Sequence, residues 1–146
     1  MGSTIIGALR TRQEILIWTD AGIISMRFVG APFVFSFNEV AHGPSLIGPN
    51  AAVNANNSVY FMDNGGFYSY SGSAHRLPCT VLDYVLSDLN QGQAHKVFGA
   101  VNDSANEIMW FYPSGTNIEI DKYVMYNYLE QVWSIGTTSD NFVRTA

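Results

Sequence analysis

Two stretches share one plan, and that plan restricts the fold more than anything else in the chain. Residues 14–19 (EILIWT) and 23–29 (IISMRFV) are short apolar runs on either side of Asp20-Ala21-Gly22. Residues 58–62 (SVYFM) and 66–71 (GFYSYS) flank Asp63-Asn64-Gly65 in the same way, 43 residues further on. Runs this short, rich in β-branched and aromatic residues and joined by Asp and Gly, read as strand, tight turn, strand. Gly22 can take a positive φ there without a Cβ penalty. At this offset Trp18 aligns with Phe61 and Ser25 with Tyr68.

A third unit follows. Residues 96–101 (KVFGAV) and 107–112 (EIMWFY) read as strands around a turn at 102–106. Pro113-Ser114-Gly115 ends the second of them, 50 residues after Asp63-Asn64-Gly65. Residues 121–128 (DKYVMYNY) and 131–135 (QVWSI) make a further hairpin around Leu129-Glu130. Offsets of 43 and 50 fall in or near the roughly 40–50-residue periods of propeller blades.

The intervening segments are less regular. Residues 33–37 (FVFSF) read as a strand with Phe33, Phe35 and Phe37 on one face. Residues 41–50 (AHGPSLIGPN) read as a loop, 54–58 as a polar turn and 90–95 as a loop. Residues 80–90 (TVLDYVLSDLN) place Val81, Val85 and Leu89 four apart, which predicts one short helix. Thr80 is its expected N-cap, with Asp83 as the capping-box acid. The expectation is one all-β domain over 1–146, built of antiparallel meander or blade-like sheets, partially propeller-like, with one short helix near 80–90.

Composition narrows the function. A net charge of −5, with seven basic residues scattered from Arg10 to Arg144, offers no phosphate-tracking stripe and argues against nucleic acid. The same scatter disfavours an anionic membrane surface. No run of 18 apolar residues is present to span a bilayer. Met1-Gly2-Ser3 lacks the basic start and apolar core of a signal peptide. The single Cys79 excludes an intrachain disulfide and a cysteine-based zinc site. Only 13% of residues are charged, against a usual ~25%, so the surface is covered by Asn, Ser, Thr and Gly or is partly buried by a partner.

No motif carries chemistry. His42, His75 and His95 stand apart, without a carboxylate at metal-ligand spacing. Asp63-Asn64-Gly65 lacks the alternating oxygen ligands and terminal Glu of a calcium loop. Asp83 and Asp88 do not face each other on a helix. Asn56-Asn57-Ser58 and Asn102-Asp103-Ser104 fit the glycosylation sequon without a secretory signal beside them. No catalytic residue, metal or cofactor is expected, and the chain reads as a non-enzyme. The aromatics are the one rich feature, and they read first as filling between sheets. The sharper alternative is a sugar-stacking platform formed by Trp18, Trp110 or Trp133. A glycan-cleaving propeller would need a close acidic pair, and none is evident.

Two stretches carry a resemblance. "KVFGAVNDSANEIMWFYPS" (96–114) and "DKYVMYNYLEQVWSIGT" (121–137) resemble segments of tail-hub, nozzle or "stabilisation" structural proteins of short-tailed bacteriophages and prophages. "LIGPNAAVNANNSVYFMDNGGFYSYSG" and "LPCTVLDYVLSDLN" are similar to the segments that precede them there. Together they cover most of residues 14–137. The resemblance implies a non-enzymatic virion component, propeller-like, that binds other virion or tail proteins. It implies location in the phage tail, or in host cytoplasm before assembly. Such proteins run to several hundred residues, so the resemblance also implies that this chain, ending at Asn141–Ala146, is a fragment or a truncated reading frame. The rival function is a carbohydrate-binding, host-recognition module.

Self-association is expected as well. Three blade-like units are too few to close a ring of the usual 4–8. Unpaired strand edges invite partners, and 123–128 (YVMYNY) carries no charge, Pro or Gly to protect one. A homodimer or larger closed assembly follows, with strands from the chain ends at the interface.

Overall fold

A computed structural model describes residues 4–11, 14–28, 30 and 35–138. The described strands form three sheets of four. The first holds β1 (Ile5–Arg10), β2 (Ile15–Thr19), β3 (Gly22–Phe28) and β4 (Phe35–His42). The second holds β5 (Ala52–Ala55), β6 (Ser58–Asp63), β7 (Gly66–Tyr70) and β8 (Ala74–Arg76). The third holds β9 (Phe98–Asn102), β10 (Glu107–Tyr112), β11 (Lys122–Asn127) and β12 (Val132–Thr137). In every sheet each strand pairs antiparallel with the next in sequence, giving an up-and-down meander. The helix α1 (Leu82–Asp88) and a 3₁₀ segment, Gln91–Lys96, connect the second sheet to the third. The all-β class and its single short α-helix are as the sequence predicts.

The local reading needs four corrections. First, the β2–β3 hairpin turns on Asp20-Ala21 and the β6–β7 hairpin on Asn64-Gly65, so the two are 44 residues apart. Trp18 therefore corresponds to Met62, and Ile17 to Phe61. A one-residue slip exchanges the faces of a strand, and the alignment of Trp18 with Phe61 had done that. Gly22 does not take a left-handed φ; its backbone lies against β4 instead. The left-handed turn is at Asn56 and Asn57, with φ of 51° and 62°, the type I′ geometry that suits a two-residue hairpin between β5 and β6.

Second, α1 starts at Leu82 with Val81 at its N-cap and no side-chain cap bond, so Thr80 does not cap it. Third, β1, β5 and β8 were not anticipated, and β4 runs to His42 through residues assigned to a loop. Fourth, 123–128 is no edge: β11 lies between β10 and β12. The expected strand start at Phe33 and strand end at Val29 lie outside the described residues, as do Met1–Ser3 and Asn141–Ala146.

Side chains directly opposite in an antiparallel ladder share a face. In the first sheet, Leu16 pairs with Ser25 and Trp18 with Ile23, and all four are buried. In the second, Phe61 and Tyr68 share one face, and Tyr60 and Ser69 the other. In the third, Ile108, Tyr126 and Trp133 share one face. The sheets stack through these rows. Trp18 meets Phe61 edge-on at 5.3 Å between ring centroids. Tyr60 meets Tyr126 and Tyr128 at 6.2 and 6.1 Å, and Phe67 meets Trp110 and Trp133, each at 4.8 Å. The core is thus two aromatic layers between three sheets. Burying such rings supplies most of the driving force, at roughly 25 cal/mol per Å² of apolar surface.

The first strands of the three sheets lie side by side. Asn54 Nδ2 donates to the Arg10 carbonyl at 2.9 Å, tying β5 to β1. Gly99 N donates to the Asn50 carbonyl at 2.8 Å, and Asn50 bridges Phe98 in parallel. Arg10, Asn54 and Asn102 therefore stand at one level, at the C-terminal ends of the three inner strands.

Candidate functional site

The tryptophans are placed plainly. Trp18 and Trp110 are wholly buried, each in a layer between sheets. Neither presents a ring face to solvent, so neither can stack on a sugar. Trp133 is half-buried, with its ring against Tyr126 at 4.3 Å and its Nε1 donating to the Pro78 carbonyl at 2.8 Å. These three residues are not brought together into one exposed platform. The histidines are also dispersed. His42 pairs with Glu39 at 3.2 Å, His75 meets Ser73 at 2.9 Å, and His95 lies in the 3₁₀ segment.

A polar cleft of about 860 Å³ opens where the inner strands end, lined among others by Arg10, Glu14, Arg27, Asn54, Tyr70 and Asp103. Its centre is Glu14, just ahead of β2, whose side chain is only 7% exposed. Ser25 Oγ donates to Oε2 at 2.8 Å and Tyr70 Oη donates to Oε1 at 3.1 Å. Arg27 lies 3.6 Å from Oε2. A carboxylate so nearly out of water needs these partners. Ser25 and Arg27 belong to the first sheet and Tyr70 to the second, so Glu14 clasps the two together. Burial, with Glu14 beside it, pushes the Tyr70 phenol up to about 12. Sequence reasoning missed this group because its members are scattered and conform to no motif.

A second polar knot ties α1 to the third sheet. Lys122 Nζ donates to Asp88 Oδ2 at 2.9 Å and to Tyr84 Oη at 2.8 Å, and Tyr112 Oη donates to the same Asp88 oxygen at 3.3 Å. The bond to Asp88 raises the Lys122 ammonium above its ordinary value, and burial raises the Tyr112 phenol. Burial also raises Tyr60 and Tyr126 in the layer between the second and third sheets.

All of these shifts have one sign. The folded state keeps protons that the unfolded chain releases above its ordinary tyrosine and lysine values of about 10 and 10.4. Their stabilisation is fully present below those values and is lost as pH rises through the folded ones. The urea midpoint is expected to hold level to about pH 9 and then fall steeply above about pH 10. A midpoint that stays level or rises there would contradict the buried, neutral state of these phenols.

The remaining feature is what the stack leaves open. The second sheet uses one face of the first and one face of the third. Among the described residues, no other sheet meets the opposite faces. On the first sheet that face carries Ile15, Ile17, Ile24 and Met26, half-buried, with Phe37 60% exposed and the exposed Glu39 opposite Ile24. On the third it carries Met109, Tyr123 and Met125, with Val132 54% exposed. Single exposed apolar residues are ordinary; contiguous apolar sheet faces mark contact surfaces.

What the geometry defines is a class of fold: three four-stranded antiparallel meanders stacked face to face, with apolar patches on the outer faces. No protein-family model matches the chain, and no curated protein matches it. No described helix is long and apolar enough to cross a membrane.

Proposed function

We propose that this chain is a non-enzymatic structural module that assembles with other protein chains, as a component of a phage tail or hub. The observation that carries the reading is the pair of open apolar sheet faces at the two ends of the stack. Side chains such as Ile17, Ile24, Met109 and Met125 are half-buried, and covering them gains part of the roughly 1.5–3 kcal/mol that full burial of such a side chain is worth. The charge-poor composition fits the same end, because an assembled subunit hides much of its surface. The segments at 96–114 and 121–137 add the resemblance to tail-hub proteins, which supplies the virion setting.

The rival reading is a carbohydrate-binding module. With Trp18 and Trp110 buried, its sugar would have to enter the cleft around Glu14 and Asn54. Particles purified after prophage induction from the source strain separate the two. The chain is expected in those particles at fixed stoichiometry, resistant to high-salt washing. Absence from particles, together with glycan-array binding abolished by Asn54→Ala, would establish the rival.

A further inference from the structure

We infer that the open face of the third sheet seats on the open face of the first sheet of a second copy, and reciprocally, so that two chains close a ring of six sheets. The inference rests on the assembly reading above and specifies its partner. Within one chain a single mode of contact occurs twice. The forward face of the first sheet (Leu16, Trp18, Ile23) covers the backward face of the second (Phe61, Tyr68, Tyr70). The forward face of the second (Tyr60, Phe67) covers the backward face of the third (Trp110, Tyr126, Trp133). Among the described residues, what is left is one forward face, on the third sheet, and one backward face, on the first. A forward face needs a backward face, and a second copy supplies it at both ends.

The described residues supply three sheets, and two copies bring the number to six, within the 4–8 that rings of stacked four-stranded sheets hold. The two faces also match level by level. The register aligns Arg10, Ile15, Met26 and Phe37 in one row across the first sheet. It aligns Asn102, Glu107, Asn127 and Val132 in one row across the third. Both rows begin at the level where the inner strands end, because Arg10 and Asn102 are level with Asn54. Each row holds one charge near its inner end, Arg10 positive and Glu107 negative. Each ends on its fourth strand with an exposed apolar residue, Phe37 on β4 and Val132 on β12. The next row of the third sheet, Met109 and Met125, then lies against Ile17 and Ile24. Gly136 leaves room for the Tyr123 ring, since a Cβ there would stand 2.3 Å from Tyr123 Oη.

The test uses the full chain and two variants, Ile17→Asp on the first open face and Met125→Asp on the third. By light scattering at micromolar concentration the native chain is expected as a dimer. Each variant alone damages both interfaces of its own dimer and is expected to weaken pairing more than tenfold. Mixing the two restores one undamaged interface and is expected to return dimers. A monomeric native chain, a variant that still dimerises alone, a mixture that stays monomeric, or an open-ended polymer would each overturn the ring. Should either variant fail to fold, Phe37→Cys and Val132→Cys in a Cys79→Ser background replace them. Oxidation of the double variant is then expected to cross-link one copy to the other, and no cross-linking overturns the proposal. Incorporation into particles without self-pairing would sink this inference and leave the assembly role standing.

Discussion

Trp110→Ala is expected to lower the stability of the chain by about 3–5 kcal/mol, against the roughly 5–15 kcal/mol that folded proteins commonly have. Trp110 is fully buried, meets Phe67 at 4.8 Å and Trp133 at 6.3 Å, and joins the second sheet to the third. Its Nε1 donates to the Ala51 carbonyl at 2.9 Å, at the entry to β5. Across the ladder stands Gly99, where a Cβ would be 2.8 Å from Val53, so nothing nearby can refill the space cheaply. The urea midpoint should drop with the slope unchanged, which separates lost stability from a change in the unfolded chain. A gentler pair of variants sharpens the point. Trp18 Nε1 is buried with no hydrogen-bond partner, so Trp18→Phe removes an unsatisfied donor. Trp110→Phe removes a satisfied one, and leaves the Ala51 carbonyl with only the bond from Met62 N at 3.3 Å. Trp110→Phe should therefore be the more damaging; the reverse order would contradict the two environments.

Gly22→Val should cost at least as much as an overpacked core, about 1–3 kcal/mol or more, although Gly22 sits beside a surface turn. A Cβ at this position would lie 2.3 Å from the Ala41 carbonyl oxygen and 3.2 Å from His42 Cα, both backbone. The main chains of β3 and β4 touch there, next to the irregularity between Ile23 and Ile24. Relief would require β4 to move away. Thr19 also holds the turn, accepting from Ala21 N and Gly22 N and donating to the Gly22 carbonyl, each at 3.2 Å. Gly65 is the control. It follows Asp63 as Gly22 follows Asp20, but a Cβ there meets nothing within 4 Å, and its φ is not left-handed. Gly65→Ala should leave stability unchanged or raise it by up to about 1 kcal/mol, by restricting the unfolded chain. Thermal unfolding of the two variants side by side decides the matter; equal losses would mean that the glycines serve turn geometry alone.

The second and third strands of each sheet were legible because both of their faces carry apolar side chains, the open faces of the first and third sheets included, giving runs such as EILIWT and EIMWFY. Two of the inner strands, β1 and β5, were not, whereas β9 read as a strand through Val97, Phe98 and Val101. β1 carries glycine and β5 alanine, because the inner strands are closely packed. A Cβ on Gly7 would meet Leu46 at 2.9 Å and Pro49 at 3.0 Å. Small residues chosen for close approach weaken the β-propensity that sequence reasoning depends on. Strand β8 failed for another reason: three residues are too few for an alternation to show. The slip between offsets of 43 and 44 came from taking Asp-x-Gly as the unit, whereas the hairpins centre one residue apart relative to it. That slip hid which face of the first sheet stays open. The cleft around Glu14 was invisible because its partners, Ser25, Arg27 and Tyr70, are joined only when two sheets stack.

Among the described residues every strand ladder joins neighbours in sequence. A ribosome releases such a chain in usable instalments, N-terminus first. The first sheet has all its hydrogen-bonding partners once His42 has emerged, the second once Arg76 has, the third once Thr137 has. Within each sheet the pairing is between neighbours in sequence, so the distant contacts to be found are those that stack one sheet on the next. Each finished sheet then presents an oily face to the tunnel exit until its successor arrives to cover it. The last of those faces has no successor in the described residues, so the step that completes the first two sheets is the same step, left pending, that would recruit another molecule.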